Sequence, residues 1–360
     1  MEKGIIPRDL RETHKVIALV GQPNVGKSTI YNRITGELQH IGNWPGKTVE
    51  VAWSKVEFEN EKVILVDLPG TYTLSGFTEE EEVTIEFILH EKPDAIIVIT
   101  DVSALPRNLY LLLQVLEITN RVILVVNMMD EAERWGIKVD LSKLRSIFGI
   151  PVIGTVAIRG AGLEDMLRAA LKVAKKPPKP SKIRYPNIEC YIEEIEEIIK
   201  STGIDNPRFM AIRIVEGDYK ILKELPEEAA IKIEGVLEKM KFVFKRDPRL
   251  IIASERYLVI DSIMLETFSK KTLADSLTEK LDNIFFKRGL DMIFSFAILF
   301  LSFLVAYQIG YFLLEILDMV LSACIVDPID AFLANTTPSW AHSLIVDGII
   351  GGIVFALTFL

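Results

Sequence analysis

The chain has 360 residues, of which 49% are hydrophobic, and its mean hydropathy is +0.29. This length predicts about two or three domains, and this hydropathy is high for a wholly soluble chain. The formal net charge is −9, so the chain lacks the basic footprint typical of nucleic-acid-binding proteins, and we expect no nucleic-acid partner. Its two cysteines, Cys190 and Cys324, lie too far apart in sequence for a disulfide framework.

The N-terminal region is predicted to be a cytoplasmic α/β domain. Residues 1–15 carry charges throughout and lack the apolar core of a secretory signal. In residues 1–176, apolar strand-like runs then alternate with helical patterns. Alternation of this kind predicts a mostly parallel sheet flanked by helices, with ligands at the carboxyl ends of the strands.

A complete GxxxxGKS motif, from Gly21 to Ser28, directly follows the apolar run 16–20. A buried strand, this loop and a helix together make a cradle of backbone N–H groups around the phosphates of a nucleotide. Lys27 would reach the β- and γ-phosphates, and the Ser28 hydroxyl would hold Mg²⁺. A plain glycine turn is the alternative reading. The residues predicted to contact phosphate are Gly21, Asn24, Val25, Gly26, Lys27, Ser28, Thr29 and Gly70.

A second apolar run, 63–66, ends in the tetrapeptide Asp67-Leu68-Pro69-Gly70. The carboxylate of Asp67 can hold Mg²⁺ through water, and Gly70 can present its backbone N–H to the γ-phosphate. Loss of that phosphate would then release the loop beyond. Taken alone, this tetrapeptide is also a common turn at the end of a strand.

A third run, 122–126, predicts which base is bound, which the phosphate loop alone leaves open between ATP and GTP. It leads into Asn127-Met128-Met129-Asp130, where the Asp130 carboxylate can accept hydrogen bonds from guanine N1 and N2. Adenine lacks this donor pair, so an aspartate here selects GTP. The residues predicted to contact guanine are Asn127, Met128, Asp130, Val156 and Ala157, the last two through a backbone N–H at the end of a predicted strand 152–157.

Residues 41–50 are rich in glycine and proline and are predicted to form a loop. Within it, Thr48 is the natural second Mg²⁺ ligand, acting only when the γ-phosphate holds the loop in place. The Mg²⁺ ligands are therefore predicted to be Ser28, Thr48 and Asp67. The residues predicted to switch with nucleotide state are Gly42, Asn43, Trp44, Pro45, Gly46, Thr48, Asp67, Leu68, Pro69 and Gly70.

The segments GxPNxGKS, GNWPGxTVE, DLPGTYTL and NMxD occur in that order, and together they resemble the FeoB family of prokaryotic ferrous iron transporters. In that family a P-loop GTPase domain is fused to a membrane domain. The resemblance covers the soluble region and the first apolar span. It implies GTP/GDP, Mg²⁺ and K⁺ as cofactors, Fe²⁺ as the transported ion, small accessory proteins of the iron transport system as partners, and a homo-oligomer.

The resemblance also implies a catalytic role for K⁺. Asn24 would bind the ion beside the phosphates, with backbone carbonyls around Gly42 and Trp44 completing the site. A monovalent cation there would offset developing negative charge, as an arginine finger does in other GTPases. The predicted catalytic residues are thus Lys27, Thr48 and Asn24. For Asn24, the alternative is a role in capping the turn. Hydrolysis is expected to be slow, because Thr71 occupies the position at which Ras-like enzymes have a glutamine that orients the attacking water.

Residues 177–182, rich in proline, are predicted to be a stiff linker, and residues 183–275 an all-α domain. Its predicted helices cover 188–200, 209–225, 226–244 and 248–268. A plain helical bundle explains this pattern. The resemblance adds a role like that of a nucleotide-dissociation inhibitor, which would connect the switch segments to the membrane.

The remaining residues are predicted to associate with a membrane. Residues 276–289 are predicted to be an amphipathic membrane-proximal segment and residues 290–360 a transmembrane region. Residues 292–314 are uncharged and long enough to cross a hydrocarbon core of about 30 Å, although a buried helix is the alternative. A second span is predicted to begin near residue 344 and to continue beyond Leu360 in the full protein.

The distribution of charge predicts the orientation. Lys280, Lys287 and Arg288 precede the first span, and residues 315–343 contain no lysine or arginine. The N-terminal domains are therefore expected in the cytoplasm, in a multi-pass protein of the cytoplasmic membrane.

Two functions fit the sequence as a whole. The first is the GTP-hydrolysing module of an Fe²⁺ transporter, and the second is a membrane-anchored regulatory GTPase that acts on a protein effector.

Overall fold

A computed structural model describes residues 5–36, 40–270, 290–334 and 336–358. The chain divides into two compact units, Met1–Thr272 and Leu273–Leu360. The strands of the first unit are β1 (Lys15–Gly21), β2 (His40–Asn43), β3 (Glu50–Phe58), β4 (Glu61–Asp67), β5 (Ala95–Asp101), β6 (Val122–Asn127), β7 (Ile137–Val139), β8 (Val152–Gly154) and β9 (Phe268–Lys270). Its helices are α1 (Arg8–Thr13), α2 (Lys27–Thr35), α3 (Glu79–Glu86), α4 (Leu105–Ile118), α5 (Met129–Arg134), α6 (Leu141–Phe148), α7 (Leu163–Lys175), α8 (Glu189–Lys200), α9 (Pro207–Val215), α10 (Glu227–Phe244) and α11 (Pro248–Thr267).

A seven-stranded sheet in the order β2-β3-β4-β1-β5-β6-β8 forms the centre of the N-terminal domain. Strands β4, β1, β5, β6 and β8 are parallel, and β2 and β3 extend the sheet as an antiparallel edge. The predicted fold class, a mostly parallel sheet flanked by helices, is confirmed. Because β1, β4, β5 and β6 are parallel, their carboxyl ends meet at one edge of the sheet.

Each central strand is buried on both faces. In β1, Val16, Ala18 and Val20 belong to one hydrophobic core, and Ile17 and Leu19 belong to the core on the opposite face. This alternation follows from the two-residue period of a strand. It explains why the parallel strands are continuous apolar runs in the sequence.

Two predicted boundaries in this domain are wrong. The predicted loop 41–50 contains the end of β2 and the start of β3, because Gly42 pairs with Val51 and Asn43 with Glu50 in an antiparallel ladder. Only residues 44–49 form the connecting turn. The predicted strand 152–157 ends at Gly154, since the chain then turns through a 3₁₀ helix, Ala157–Arg159.

Helices α8 to α11 pack around a third hydrophobic core, which includes the buried face of α8 formed by Ile192, Ile195 and Ile199. The predicted helices 188–200, 226–244 and 248–268 correspond to α8, α10 and α11.

The predicted helix 209–225 is wrong in its second half. Helix α9 ends at Val215, and Gly217 follows with φ of +97°, a left-handed conformation that interrupts a helix. A short 3₁₀ turn, Ile221–Lys223, is the only further helical piece described before α10.

The described part of the second unit is mostly helical. It contains α12 (Leu290–Leu321), a π-helical stretch Ser322–Val326, α13 (Asp327–Leu333), α14 (Ser339–Ser343), a π-helical stretch Leu344–Ile350 and α15 (Gly351–Thr358). Two stretches, Met292–Leu333 and Ser339–Leu357, are long and apolar enough to cross a membrane by length and composition.

The first apolar helix therefore continues past its predicted end at residue 314, because neither glycine nor proline interrupts residues 315–327. The second begins at Ser339, before its predicted start. The predicted amphipathic segment 276–289, with its three basic residues, lies outside the described residues.

Candidate nucleotide-binding site

The predicted phosphate loop lies between β1 and α2. Gly26 precedes the helix with φ of +88°, and Asn24 has φ of +68°. A Cβ on Gly26 would come within 2.3 Å of Asn127 Nδ2, and one on Gly21 would come within 2.9 Å of the Ile99 carbonyl oxygen. Neighbouring protein atoms therefore leave no room for a side chain at either position, whether or not a phosphate is bound.

The loop presents polar side chains to solvent at the start of α2. Asn24, Ser28 and Thr29 are exposed, whereas Val25 is buried in the second core and fixes the loop from beneath. Together with the backbone N–H groups of the first turn, these residues form the kind of cradle that binds anions at a helix N-terminus.

Lys27 forms an ion pair with Asp67 at the end of β4. The two side chains are only 11% and 15% exposed. Burial raises the pKa of Asp67, and the neighbouring ammonium of Lys27 opposes that rise. In this structure Lys27 therefore holds the carboxylate that is predicted to bind Mg²⁺.

The Asp67-Leu68-Pro69-Gly70 segment lies directly beside the phosphate loop. The backbone N–H of Leu68 donates to the Leu19 carbonyl, and that of Thr71 donates to the Gly21 carbonyl, each at 3.2 Å. A Cβ on Gly70 would lie 3.4 Å from the ring of Pro23. The structure thus brings Gly70 against the phosphate loop.

The predicted switch segment 44–48 is attached to α3. The Trp44 indole N–H donates to Glu86 Oε2 at 2.7 Å, and the Thr48 hydroxyl donates to Glu79 Oε2 at 2.7 Å. Trp44 is buried, and its carbonyl, a predicted K⁺ ligand, accepts from the backbone N–H of Lys47 at 3.0 Å. Thr48 is therefore held by a carboxylate of α3 in this structure.

The other switch residues occupy different positions on the same hairpin. Gly42 and Asn43 lie on β2, while Pro45 and Gly46 are exposed in the turn, where Gly46 has φ of +83°. Lys47 fixes the turn further, since its ammonium lies 2.9 Å from a carboxylate oxygen of Glu82.

Asn127 connects the phosphate loop to the segment after β8. Its side chain is buried; Nδ2 donates to the Val25 carbonyl at 2.9 Å, and Oδ1 accepts from the Thr155 hydroxyl and the Ala157 N–H, each at 3.0 Å. The N–H of Val156 donates to the Ala161 carbonyl. The predicted guanine residues are thus brought together, but Asn127 acts here as a positioning residue.

Asp130 is the carboxylate that is predicted to bind guanine. It lies in the first turn of α5, with its side chain 12% exposed and 3.8 Å from the guanidinium of Arg159. Met128 begins the helix with φ of +62°, a conformation that the short β6-to-α5 turn requires. Among the described residues, no group of three or more His, Cys, Asp or Glu residues is arranged to hold a metal.

Gln22 is a site residue that the sequence did not single out. It is buried inside the phosphate loop, where its amide donates to the carbonyls of Arg107 at 2.8 Å and of Tyr72 at 3.3 Å. Its own Oε1 accepts from Asn108. Gln22 thereby ties the phosphate loop to the segment after Gly70; the only signal in the sequence is a polar residue directly after a buried strand.

The segment after Gly70 also contacts the helical domain. The Leu74 N–H donates to Gln114 of α4 at 2.8 Å, and the Leu74 carbonyl accepts from Arg213 of α9 at 2.8 Å. Arg213 also pairs with Asp218 at 2.6 Å. The backbone of Leu74, in the segment that follows the predicted γ-phosphate contact at Gly70, is therefore bonded to both domains.

Beneath this contact lies a buried charge cluster. Arg256 of α11 is fully buried and pairs with Glu117 of α4 and with Glu216 after α9. The Tyr185 hydroxyl donates to Glu117, and burial raises the pKa of both groups. These side chains join the two domains with opposite charges that compensate one another away from water.

The chain is similar to known proteins over most of its length. Family models described as Ferrous iron transport protein B and FeoB cytosolic helical domain match residues 15–170 and 185–269. The Fe(2+) transporter FeoB of Methanocaldococcus jannaschii is 36% identical over 351 residues, which is 95% of this chain and 52% of that protein. The Escherichia coli K12 protein of the same name is 32% identical, over 94% of this chain and 44% of its own length. The chain thus spans about half the length of the curated relatives it matches.

Solved structures are similar over the first unit. A GDP-bound variant of the S. thermophilus FeoB G-domain is 31% identical with a TM-score of 0.66, covering 71% of this chain and all of that one. The cytosolic domain of the T. maritima FeoB iron transporter in a GDP form is 30% identical with a TM-score of 0.61, covering 71% of this chain and 98% of that one. With two family models and these relatives in agreement, the chain belongs to the FeoB family of ferrous iron transport proteins.

Proposed function

We propose that the first unit binds GTP with Mg²⁺ and hydrolyses it, and that this cycle controls Fe²⁺ uptake across the cytoplasmic membrane. The observation that supports this most is the position of Lys27, Asp67 and Asp130, all of which follow parallel strands at the same edge of one sheet. Ligands of such sheets bind at this edge. The phosphate loop after β1 would bind the phosphates at this edge, and the carboxylate after β6 would bind the base.

Each residue then has a defined task. Lys27 would leave Asp67 to contact the β- and γ-phosphates, and Ser28 and Asp67 would hold Mg²⁺. Thr48 would leave Glu79 to complete the metal shell once a γ-phosphate is present. Gly70 would donate its N–H to that phosphate, which couples the phosphate to the Leu74 contact with the helical domain.

The base is recognised at the other end of the site. Asp130 would accept hydrogen bonds from guanine N1 and N2, and Met128 would pack against the ring. Asn127 would hold the phosphate loop and the 155–157 segment around the base. A backbone N–H of Val156 or Ala157 would reach guanine O6 after exchanging its present acceptor.

The catalytic cation is proposed to be K⁺, bound by Asn24 with backbone carbonyls near Gly42 and Trp44. Asn24 is exposed and holds a left-handed conformation in the phosphate loop, which supports a role in binding a solvent ion. Positive charge there would stabilise the transition state of a slow intrinsic hydrolysis.

The nucleotide cycle is proposed to act on a membrane-embedded Fe²⁺ pathway. Two helices, Met292–Leu333 and Ser339–Leu357, have the length and composition of membrane spans. Small accessory proteins and a homo-oligomer are further proposed partners, with the N-terminal domains in the cytoplasm and the protein multi-pass.

Fe²⁺ uptake by membrane vesicles that carry the protein tests this proposal. Uptake should require GTP and should be lost in Lys27→Ala, while the matched control Lys62→Ala, which removes an exposed lysine of β4, should transport normally. Uptake that is equal in both variants would contradict the proposed coupling. GTP hydrolysis without any Fe²⁺ flux would favour a membrane-anchored regulatory GTPase.

A further inference from the structure

The turn between α10 and α11 concentrates positive charge in an acidic protein. Residues 239–249, here named the basic tip, contain five basic residues and one acidic residue, in a chain whose net charge is −9. The remainder of α10 carries four glutamates and one lysine, so the basic charge is confined to one end of the helix. All five basic side chains are exposed.

Two of these cations are available for a partner. In the described part of the chain, Lys245 and Arg246 have no acidic group within ion-pair distance, whereas Arg249 is held by Asp247 at 2.7 Å. Lys239 and Lys241 form only exposed pairs, at 3.3 Å and 3.7 Å. Exposed pairs of this kind are weak, so they leave most of the positive field in place.

Exposed apolar side chains lie among these basic residues. Phe242 is 83% exposed, and its neighbours Val243 and Leu250 are 57% and 62% exposed. By contrast, Phe244 is turned inward, with its ring 6.2 Å from that of Tyr191. Since Phe244 is the last residue of α10 and is still packed, the end of the helix is not frayed. Phe242 is therefore exposed in an ordered part of the helix.

The tip has a fixed shape. Lys245 ends α10 in a left-handed conformation, with its N–H donating to the Lys241 carbonyl at 2.9 Å. Asp247 caps α11 by accepting from the Arg249 N–H at 2.9 Å, and Pro248 occupies the first turn. A rigid surface binds with little loss of conformational entropy.

We propose that the basic tip is a docking surface for an anionic membrane, in which Phe242 and Val243 enter the headgroup region and Lys245 and Arg246 contact lipid phosphates. Exposed aromatic and aliphatic side chains ringed by lysine and arginine are the chemistry that binds anionic bilayers. A nucleic acid would use the cations and the phenyl ring but would leave Val243 and Leu250 unburied. The apolar helices of the same chain would raise the local concentration of bilayer, which favours a lipid partner further.

The isolated fragment 1–270 is suitable for the test. It corresponds to the first compact unit and contains its three hydrophobic cores. Cytosolic domains of FeoB relatives that match this region have been solved as separate chains. Co-sedimentation should be measured with vesicles of phosphatidylcholine alone and of phosphatidylcholine mixed with phosphatidylserine.

The fragment should bind only the phosphatidylserine vesicles, and binding should weaken as salt is added. Reversal of both free cations, Lys245→Glu with Arg246→Glu, should lower the vesicle affinity by about tenfold or more. Phe242→Ser should lower it several-fold without a change in charge. Urea unfolding midpoints equal to that of the wild type would establish that these exposed substitutions leave the fold intact.

Matched controls lie elsewhere in the helical domain. Lys200→Glu with Lys232→Glu gives the same change of net charge on exposed lysines of α8 and α10, and Ile231→Ser removes an apolar side chain that is 62% exposed. Both should bind vesicles as the wild type does.

Three results would overturn the proposal. They are no binding to phosphatidylserine vesicles, equal binding to both kinds of vesicle, and equal losses in the tip and control variants. Binding of a labelled single-stranded RNA to the same fragment and variants should also be measured. RNA binding that is lost in the tip variants, without vesicle binding, would assign the tip to a nucleic acid instead.

Discussion

Thr48 donates a hydrogen bond to Glu79 across 2.7 Å, and this contact holds the predicted Mg²⁺ ligand on α3. The same helix holds Trp44 and Lys47 through Glu86 and Glu82, so the switch hairpin is attached at three side chains. The hydrogen bond from Thr48 lowers the pKa of Glu79, because a donor to this oxygen stabilises the carboxylate form. In its proposed role as a Mg²⁺ ligand, Thr48 would have to leave this contact before it could reach the metal.

The variant Glu79→Ala should therefore bind a non-hydrolysable GTP analogue several-fold more tightly while its affinity for GDP stays the same. The physical reason is that, in this variant, Thr48 has no hydrogen bond to a charged carboxylate that must be broken before it moves to Mg²⁺. Fluorescent nucleotide titration of the fragment 1–270 measures both affinities. Glu80→Ala removes an adjacent exposed carboxylate and should leave both unchanged; equal shifts in the two variants would contradict a role for the Thr48 contact.

Hydrolysis should be faster in K⁺ than in Na⁺, and Asn24→Ala should abolish that difference. Removal of the side-chain oxygen deletes one ligand from the proposed ion, while the backbone cradle around the phosphates remains. Phosphate release from the fragment, measured in either salt at equal ionic strength, tests this. A variant that keeps its full response to K⁺ would exclude Asn24 as a ligand.

The effect of Mg²⁺ on GTP affinity should be lost as the pH falls, and at a higher pH than the pKa of a free aspartate would give. Burial raises the pKa of Asp67, so its carboxylate takes up a proton at a higher pH than a free aspartate, whose pKa is about 3.9. Protonation would remove the charge that is proposed to hold the metal, so Mg²⁺ binding should release this proton. Affinity measured with and without Mg²⁺ at falling pH gives the profile.

The control for this profile is Asp94→Asn, which alters a carboxylate at the opposite end of the sheet and should leave the pH at which the Mg²⁺ effect is lost unchanged. Asp67→Asn should remove the Mg²⁺ effect at every pH. A Mg²⁺ effect that persists in Asp67→Asn would show that another group holds the metal.

Arg256→Met should destabilise the fragment by about 3–5 kcal/mol, because it leaves Glu117 and Glu216 buried without their counter-charge. The deficit should shrink as the pH falls. Burial raises the folded-state pKa of Glu117, and loss of the guanidinium removes the charge that opposes this rise, so protonation of Glu117 at lower pH restores stability. Urea unfolding at two pH values measures this, with the exposed Arg249→Met as control. A loss no larger than that of the control would mean that the cluster contributes little.

The sequence predicted which residues of the proposed site end the buried strands. Gly21, Asp67 and Asn127 end apolar runs, and parallel pairing places the ends of such runs at one edge. The glycine requirement at Gly26 was also predictable, although its immediate cause, the Asn127 side chain, was not.

Contacts between residues far apart in the chain were not predictable. The pairs Thr48–Glu79 and Asn127–Val25 join residues 31 and 102 positions apart, and nothing local to either partner specifies the other. Gln22 was missed for the same reason, because its motif position accepts many residue types and only the fold brings Arg107 to it. Local patterns also missed β2, where strand pairing overrides the turn preference of Gly42.

Calorimetric titration of the fragment 1–270 with GTP and with ATP, each with Mg²⁺, tests the central claim most directly. A guanine-selective site predicts measurable GTP binding and far weaker ATP binding, and Asp130→Asn should move the preference from GTP toward XTP. Equal affinity for GTP and ATP in the wild type, or unchanged GTP affinity in Asp130→Asn, would contradict the assignment of this site to a guanine nucleotide.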